Sequence, residues 1–288
     1  MTRIPITIIT GYLGSGKTTL LRHLLENTAN KLAIVMNEFG AVDIDAKIIK
    51  GKNVNIAELT GGCVCCSISG EFEEAVKEII EKAKPEHIVV ETTGVVDPES
   101  LIYGVLENMS FLRLDSVVCI VDCDALAKYP EIGITSRKQI EMGDILLLNK
   151  TDLVTEKQLK ETETKVNNIN NNALVYKTIK CNIPAALLFG LFAEKEAAKL
   201  EHKELEDIES VVFETAKPLD KKTFEAFIRS LKNVFRAKGF VNFSDGTYLF
   251  NYVNGRYDVE KWAKEDTKIV FIGKNLNKVK SNVQKKFG

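Results

Sequence analysis

The sequence lacks an excess of charge of either sign. Its 288 residues include 39 lysines and arginines and 40 aspartates and glutamates, for a net charge of −1. Because nucleic-acid-binding proteins usually carry a basic excess, this balance argues against such a partner. No apolar run reaches the ~18–20 residues of a membrane span, and the chain opens on a strand-like run without a cleavable signal. We therefore expect a cytoplasmic protein with no membrane contact.

Histidine is also scarce, and cysteine is not abundant. The three histidines, His23, His87 and His202, are scattered along the chain, so we expect each to be structural rather than a metal ligand. Six cysteines are present, and disulfides are rare in the cytoplasm, so the cysteines are interpreted as thiols or metal ligands. The length permits one large domain or two ordinary ones.

The stretch from Gly11 to Thr18, GYLGSGKT, fits the phosphate-loop pattern G-x-x-x-x-G-K-[ST] at every fixed position. An apolar run over 4–9 predicts a strand before this phosphate loop, and leucines over 18–25 predict a helix after it. Backbone N–H groups at such a helix N-terminus bind phosphates, Lys17 would contact the β- and γ-phosphates, and Thr18 would ligate Mg²⁺. The residues expected to bind the nucleotide here are Gly11, Gly14, Ser15, Gly16, Lys17, Thr18 and Thr19.

A second nucleotide signal, Asn149-Lys150-Thr151-Asp152, follows a predicted strand over 145–148. In this guanine loop, the Asp152 carboxylate would accept from the ring N–H and the exocyclic amine of guanine, while Asn149 and Lys150 brace the loop. Adenine cannot satisfy that carboxylate. The sequence therefore predicts GTP and GDP as ligands.

Two further segments carry carboxylates. A predicted strand over 31–36 leads into Asn37-Glu38-Phe39-Gly40, where a phosphate-loop protein usually has a switch that senses the γ-phosphate. A polar loop that turns at Gly40 is the alternative. A predicted strand over 87–90 ends in Glu91-Thr92-Thr93-Gly94, here called the E-T-T-G loop, where such enzymes place a carboxylate near Mg²⁺ or the attacking water.

The strongest metal signal is the C-x-C-C motif formed by Cys63, Cys65 and Cys66 after a glycine pair. Thiolates select Zn²⁺ and related soft ions, and a disulfide between such close neighbours would be strained. Three thiolates leave one tetrahedral position for another ligand. Burial as small apolar side chains is the alternative, but it suits one cysteine better than three.

The order of predicted elements indicates an α/β phosphate-loop NTPase domain over 1–193, with a mostly parallel sheet flanked by helices. Residues 194–209 are charged and lack an apolar stripe, which predicts a linker or a solvated helix. Residues 210–288 alternate strands with turns and predict a smaller α+β domain, ending in a basic, solvent-exposed helix over 275–286. The other three cysteines are not expected to be ligands: Cys119 lies in a predicted core strand, Cys123 is core or spare, and Cys181 has no assigned role.

Together, GYLGSGKT, NEFG, ELTGGCVCC, ETTGVVDP, VVCIVD and NKTD resemble the CobW family of metal-handling GTPases, and RAKGF and IVFIGKNL resemble its second domain. That family includes cobalt-insertion proteins, nitrile-hydratase activators and zinc-transfer proteins. The resemblance implies slow GTP hydrolysis linked to delivery of Zn²⁺ or Co²⁺ to a client metalloprotein or a cobalamin-pathway enzyme. A dimer that depends on metal or nucleotide is left open.

Carried over by motif, the resemblance implies a transition metal on Cys63, Cys65 and Cys66, with Glu38 near both the metal and the nucleotide. It also implies that Lys17 and Glu91 serve hydrolysis together with Glu38. Many relatives carry a histidine-rich stretch for metal storage, which this chain lacks, so metal loading falls to the cysteines. Two other interpretations remain. One is a small-molecule kinase with a structural zinc, against which N-K-x-D argues, and the other is a GTP-regulated interaction module whose cysteines sense redox state.

Overall fold

The structure is a computed structural model that describes residues 3–27, 31–36, 55–58, 71–95, 97–189, 209–253 and 255–288. The chain divides into two compact units, Arg3–Ile183 and Pro184–Gly288. The linker predicted over 194–209 lies almost entirely outside the described residues. The domain boundaries predicted at its two ends therefore stay predictions.

The first unit is built on a seven-stranded sheet in the order β3-β2-β4-β1-β5-β6-β7, and every pairing in it is parallel. In the described connections between these strands, helices cross from one strand to the next, as parallel pairing requires. The predicted α/β class is confirmed. The strands are β1 (Ile4–Gly11), β2 (Leu32–Met36), β3 (Asn55–Glu58), β4 (His87–Glu91), β5 (Leu112–Asp122), β6 (Ile145–Asn149) and β7 (Leu174–Lys177). The described helices are α1 (Lys17–Asn27), α2 (Glu71–Ala83), α3 (Glu99–Asn108), α4 (Cys123–Lys128), α5 (Ile134–Met142) and α6 (Glu156–Ile169), with a 3₁₀ turn at Thr151–Leu153.

The central strands are apolar because helices cover the sheet. Every residue of β4 is buried, and Ile6 and Ile8 of β1 pack in one cluster with Phe72 of α2 and Leu101 of α3. A second cluster contains both Cys119 and Cys123 among aliphatic side chains. The structure therefore places these two cysteines in the core, as the sequence predicts.

The phosphate loop, the E-T-T-G loop and the guanine loop all lie at one edge of the sheet. Because all strands run parallel, their carboxyl ends meet at the same edge, where α/β proteins bind ligands. The phosphate loop follows β1, the E-T-T-G loop begins at the end of β4, and the guanine loop begins at the end of β6. Loops that are far apart in the sequence are thus brought to one side.

The second unit contains a five-stranded antiparallel sheet in the order β11-β10-β9-β12-β8. Phenylalanines of strands and helices fill its core, with ring centroids of Phe224 and Phe250 5.1 Å apart and those of Phe227 and Phe287 5.6 Å apart. Its elements are α7 (Ala185–Leu188), β8 (Glu209–Thr215), α8 (Lys221–Arg229), β9 (Val234–Phe243), β10 (Gly246–Val253), β11 (Arg256–Lys261), β12 (Thr267–Gly273) and α9 (Asn277–Phe287).

Two expectations for this unit need correction. The terminal helix α9 is not only a solvated face, since Val279, Val283 and Phe287 are buried along one side of it. The edge strand β11 (Arg256–Lys261) was not predicted, although Tyr257 and Val259 alternate with its polar residues and pack against the core of this unit. No helix in the described ranges is both long and apolar enough to cross a membrane.

Candidate nucleotide site

The phosphate loop connects the end of β1 to the start of α1. Gly16 adopts φ +118°, and a Cβ there would lie 2.6 Å from Asn149 Nδ2 and 3.0 Å from Cys181 Sγ. Only glycine meets both the conformation and the close approach. Ser15 is fully buried, so its side chain faces the protein, while Gly14 and Thr19 are exposed. The motif therefore forms a loop at the N-terminus of α1, where backbone N–H groups and the helix dipole favour a bound anion.

Lys17 is the buried cation of the loop. Its side chain is only 5% exposed, and Nζ donates hydrogen bonds to the carbonyl oxygens of Gly11 at 3.1 Å and Tyr12 at 3.3 Å. These bonds hold the ammonium group inside the loop that would enclose the phosphates. A charge in a partly desolvated position interacts more strongly with a phosphate than one in bulk water.

Thr18 and Glu91 bring two oxygen groups together beside this loop. The Thr18 hydroxyl donates to Glu91 Oε1 at 3.3 Å, and Glu91 is 3% exposed. Hydroxyl and carboxylate oxygens are the hard ligands that Mg²⁺ prefers. The donor set fits the ion that accompanies GTP, and Thr18 would ligate it with Glu91 alongside.

The E-T-T-G loop packs directly on the phosphate loop. A Cβ built on Gly94 would lie 2.5 Å from Leu13 N and 3.0 Å from Tyr12 C, both backbone atoms. The buried amide of Gln139 in α5 also donates to the Gly94 carbonyl at 3.2 Å. Gln139 also lines a cavity of about 400 Å³ with Tyr12 and Asp122. Gln139 was not predicted as a site residue, because its contact with Gly94 is made across 45 positions.

Asn149 connects three segments through one side-chain amide. Its Nδ2 donates to Ser15 O at 2.8 Å, and its Oδ1 accepts from Cys181 N at 2.9 Å and from the Thr178 hydroxyl at 3.2 Å. The residue is 2% exposed. This geometry agrees with a bracing role between the phosphate loop and the segment after β7.

The remaining positions of the guanine loop differ in exposure. Asp152 is exposed within the 3₁₀ turn, where its carboxylate is accessible to a base. Lys150 adopts a left-handed conformation with φ 63° and donates from Nζ to Asp122 Oδ2 at 2.6 Å. The loop thus presents a carboxylate to solvent while its lysine is directed to a neighbouring strand.

The three described cysteines are poor candidates for metal ligands. Burial raises the pKa of the Cys119, Cys123 and Cys181 thiols to about 12, so they stay protonated at neutral pH. Cys181 Sγ donates to the Gly16 carbonyl at 3.4 Å, a contact with the phosphate loop that the sequence did not reveal. We interpret its thiol as a packing group.

The predicted transition-metal residues, Glu38, Cys63, Cys65 and Cys66, lie outside the described residues. Within the described part of the chain, no three His, Cys, Asp or Glu side chains come together as a metal site. The switch predicted at residues 37–40 also falls outside it. These assignments stay predictions.

The fold and the site define a class of protein. A phosphate loop, a buried acidic residue at the end of an adjacent strand and N-K-x-D two strands along are the parts of a guanine-nucleotide-dependent P-loop NTPase. The chain belongs to the CobW family: residues 5–177 match the CobW/HypB/UreG nucleotide-binding domain, and residues 208–288 match the cobalamin synthesis protein CobW C-terminal domain. It is a GTPase, and this membership decides against the small-molecule kinase.

Relatives align over most of the chain. It is 30% identical over 306 residues to the zinc chaperone YjiA of Escherichia coli strain K12, with 96% of each chain covered. It is 28% identical over 273 residues to the zinc chaperone CobW of a Sinorhizobium species, covering 83% of this chain and 76% of that protein. The crystal structure of Zn(II)-bound YjiA GTPase from E. coli matches with a TM-score of 0.52 and 23% identity, covering 100% of both chains. At that identity, the structural likeness shows the fold alone.

Proposed function

We propose that this chain is a GTP-driven zinc chaperone. It binds Zn²⁺ through Cys63, Cys65 and Cys66 with help from Glu38, and it releases the ion to a client metalloprotein after GTP hydrolysis. The zinc chaperones among its relatives support zinc as the cargo. Three thiolates and a carboxylate are a suitable tetrahedral ligand set for zinc. Co²⁺ is the alternative cargo.

One row of residues across the sheet carries this proposal. Glu58 at the end of β3 pairs in register with Met36, Met36 pairs with Glu91, and Glu91 pairs with Ile9 of β1. Because neighbouring strands lie about 4.8 Å apart, the ends of β3 and β4 are separated by roughly 10 Å. Cys63 follows Glu58 by five residues, a length that spans at most ~18 Å. That length is sufficient for Cys63 to contact the E-T-T-G loop, as the proposal requires.

The nucleotide half of the proposal uses the described residues. Lys17 neutralises charge on the β- and γ-phosphates, and Glu91 orients the attacking water from its buried position beside Thr18. The Mg²⁺ that accompanies GTP would be held by Thr18 and would neutralise phosphate oxygens. The E-T-T-G loop would couple the nucleotide site to the zinc site by contacting both the γ-phosphate and the C-x-C-C motif. Such coupling must be reciprocal, so zinc would also raise the affinity for GTP.

Zinc affinity is expected to depend on the nucleotide. A typical coupling free energy of ~1–3 kcal/mol predicts that Mg·GTP raises the affinity for Zn²⁺ by roughly 5–150-fold relative to GDP. The measurement is a competition titration against a chromogenic chelator, with a non-hydrolysable GTP analogue and then with GDP. The same titration with Co²⁺ identifies the preferred cargo. Affinity should fall at lower pH, because thiols must lose protons to coordinate a metal.

Two variants control this experiment. The triple replacement of Cys63, Cys65 and Cys66 by serine should abolish tight binding, while Lys17→Ala should bind zinc equally in both nucleotide conditions. Equal wild-type affinities in GTP and GDP would contradict the coupling, and retained affinity in the triple variant would place the metal elsewhere. Purified protein without metal, whose partner binding changes on thiol oxidation, would favour the redox module instead.

Replacing Asp152 by asparagine is expected to change the base that the site prefers. The substitution replaces one acceptor oxygen of the carboxylate by an NH₂ group. The side chain therefore loses an acceptor for the guanine N–H groups and gains a donor for the xanthine carbonyl. A contact of this kind contributes about 1–3 kcal/mol, so GTP affinity should fall roughly 5–150-fold while xanthosine triphosphate affinity rises. Equilibrium binding of both nucleotides tests this. The exposed Asp266→Asn in the second unit is the control, and unchanged GTP affinity in Asp152→Asn would contradict the guanine assignment.

A further inference from the structure

We propose that Asp122 is a positioning residue for guanine selection. It acts by holding Lys150 and thereby fixing the turn that carries Asp152. The inference rests on the proposed recognition of guanine by Asp152, and it adds a residue that lies outside the N-K-x-D motif. Its grounds are the geometry of one carboxylate and the conformation of one lysine.

Asp122 occupies a defined place beside the guanine loop. It is the last residue of β5 and pairs in register with Asn149, the last residue of β6. One carboxylate oxygen, Oδ1, accepts from Ala125 N at 3.0 Å and caps α4. The other, Oδ2, accepts from Lys150 Nζ at 2.6 Å. The side chains of Asp122 and Lys150 are 11% and 33% exposed, so this ion pair is partly shielded from solvent.

Lys150 needs such an anchor because of its backbone. It adopts φ 63° and ψ 36°, the left-handed region that is unfavourable for a residue with a Cβ. This conformation begins the 3₁₀ turn Thr151–Leu153, in which Leu153 N donates to Lys150 O at 3.1 Å. The next residue is held by Thr178, whose carbonyl accepts from Thr151 N at 3.3 Å. The contacts of Lys150 and Thr178 therefore anchor the start of the turn that presents Asp152.

The same ion pair assigns a role to Lys150. Its ammonium is already bound to a carboxylate, so the lysine contributes to base selection through the position of the turn. If so, removing the charge of Asp122 should disturb the contact between Asp152 and guanine more than it disturbs the phosphate end. The exocyclic amine of guanine, which Asp152 is proposed to bind, reports that contact specifically.

The test compares the affinities of GDP and IDP, since hypoxanthine lacks the exocyclic amine. Asn is as good a helix cap as Asp, so Asp122→Asn keeps the cap of α4 and removes the charge that holds Lys150. Because the pair is partly exposed, we expect GDP affinity to fall by about fivefold. IDP affinity should change by less than about twofold, so the preference for GDP over IDP shrinks. Lys150→Met should show the same pattern, and the two changes combined should add little to either alone.

Asp124→Asn is the matched control, because it removes one negative charge two positions away, from a carboxylate that pairs with Lys128 in α4. It should leave both affinities unchanged. Equal losses of GDP and IDP in Asp122→Asn, or no loss, would overturn the inference. If Asp152→Asn also leaves the preference intact, the guanine assignment itself fails. If Asp152→Asn abolishes the preference and Asp122→Asn does not, only the role of Asp122 fails.

Discussion

Replacing Lys17 by alanine is expected to abolish GTP hydrolysis while leaving the fold intact. The ammonium group is held inside the phosphate loop by two backbone carbonyls, where it would contact the β- and γ-phosphates. Loss of a preorganised charge contact raises the barrier by about 3 kcal/mol or more, which lowers the rate by at least ~150-fold. Single-turnover hydrolysis measures this effect directly.

The folded state of this variant must be checked separately, because the lysine is nearly buried. Lys17→Met keeps the aliphatic part of the side chain and should be as inactive as Lys17→Ala, with a thermal midpoint close to that of the wild type. Lys128→Ala, which removes an exposed lysine from α4, serves as the control for loss of charge alone. Normal turnover by either Lys17 variant would show that this loop is not catalytic.

Replacing Gly94 by alanine is expected to reduce hydrolysis by about 100-fold. The added Cβ would lie 2.5 Å from Leu13 N and 2.8 Å from Leu13 Cα, and backbone atoms cannot move away as a flexible side chain can. One of the two loops must shift by about 1 Å, and a misplacement of that size in an active site costs about 100-fold in rate. The hydrogen bond from Gln139 to the Gly94 carbonyl resists movement of the E-T-T-G loop.

The effect of Gly94→Ala should be specific to hydrolysis. The guanine loop follows β6, which lies three strands along the sheet from β4, so GDP affinity should fall far less than the turnover rate. Gly133→Ala is the matched control, because a Cβ there would meet no atom within 4 Å. The measurements are kcat for GTP and the Kd for GDP. A Gly94→Ala variant with the wild-type rate would show that the close packing of the two loops is not needed for catalysis.

The parts of the site that could be predicted from the sequence are those formed by consecutive residues. The phosphate loop and the guanine loop each directly follow the end of a strand. The backbone of such short loops needs particular residues, such as glycine in the phosphate loop, and these residues form a recognisable motif. Glu91 was predicted for the same reason, since it ends a buried strand and lies three residues before a glycine. In the fold, the parallel sheet followed from apolar runs that alternate with helical segments.

The contacts that could not be predicted join residues that are distant in the sequence. Asp122 meets Lys150 across 28 positions, and Cys181 meets Gly16 across 165 positions. No local pattern contains such contacts, because strand order decides them. The buried side of α9 is a different case: Val279, Val283 and Phe287 are spaced by four residues, a helical signal that the basic residues around it obscured. The metal site at Cys63, Cys65 and Cys66 lies outside the described residues and stays a prediction.

Asn149 has a consequence for the kinetics of nucleotide release. Its side-chain amide makes hydrogen bonds to Ser15 in the phosphate loop and to Thr178 and Cys181 beside the guanine loop. Opening at either end therefore leaves a buried polar group of the other end without its partner, which is energetically costly. The phosphate and base ends of the site are thus tied into one opening event, and GDP should dissociate in a single exponential phase.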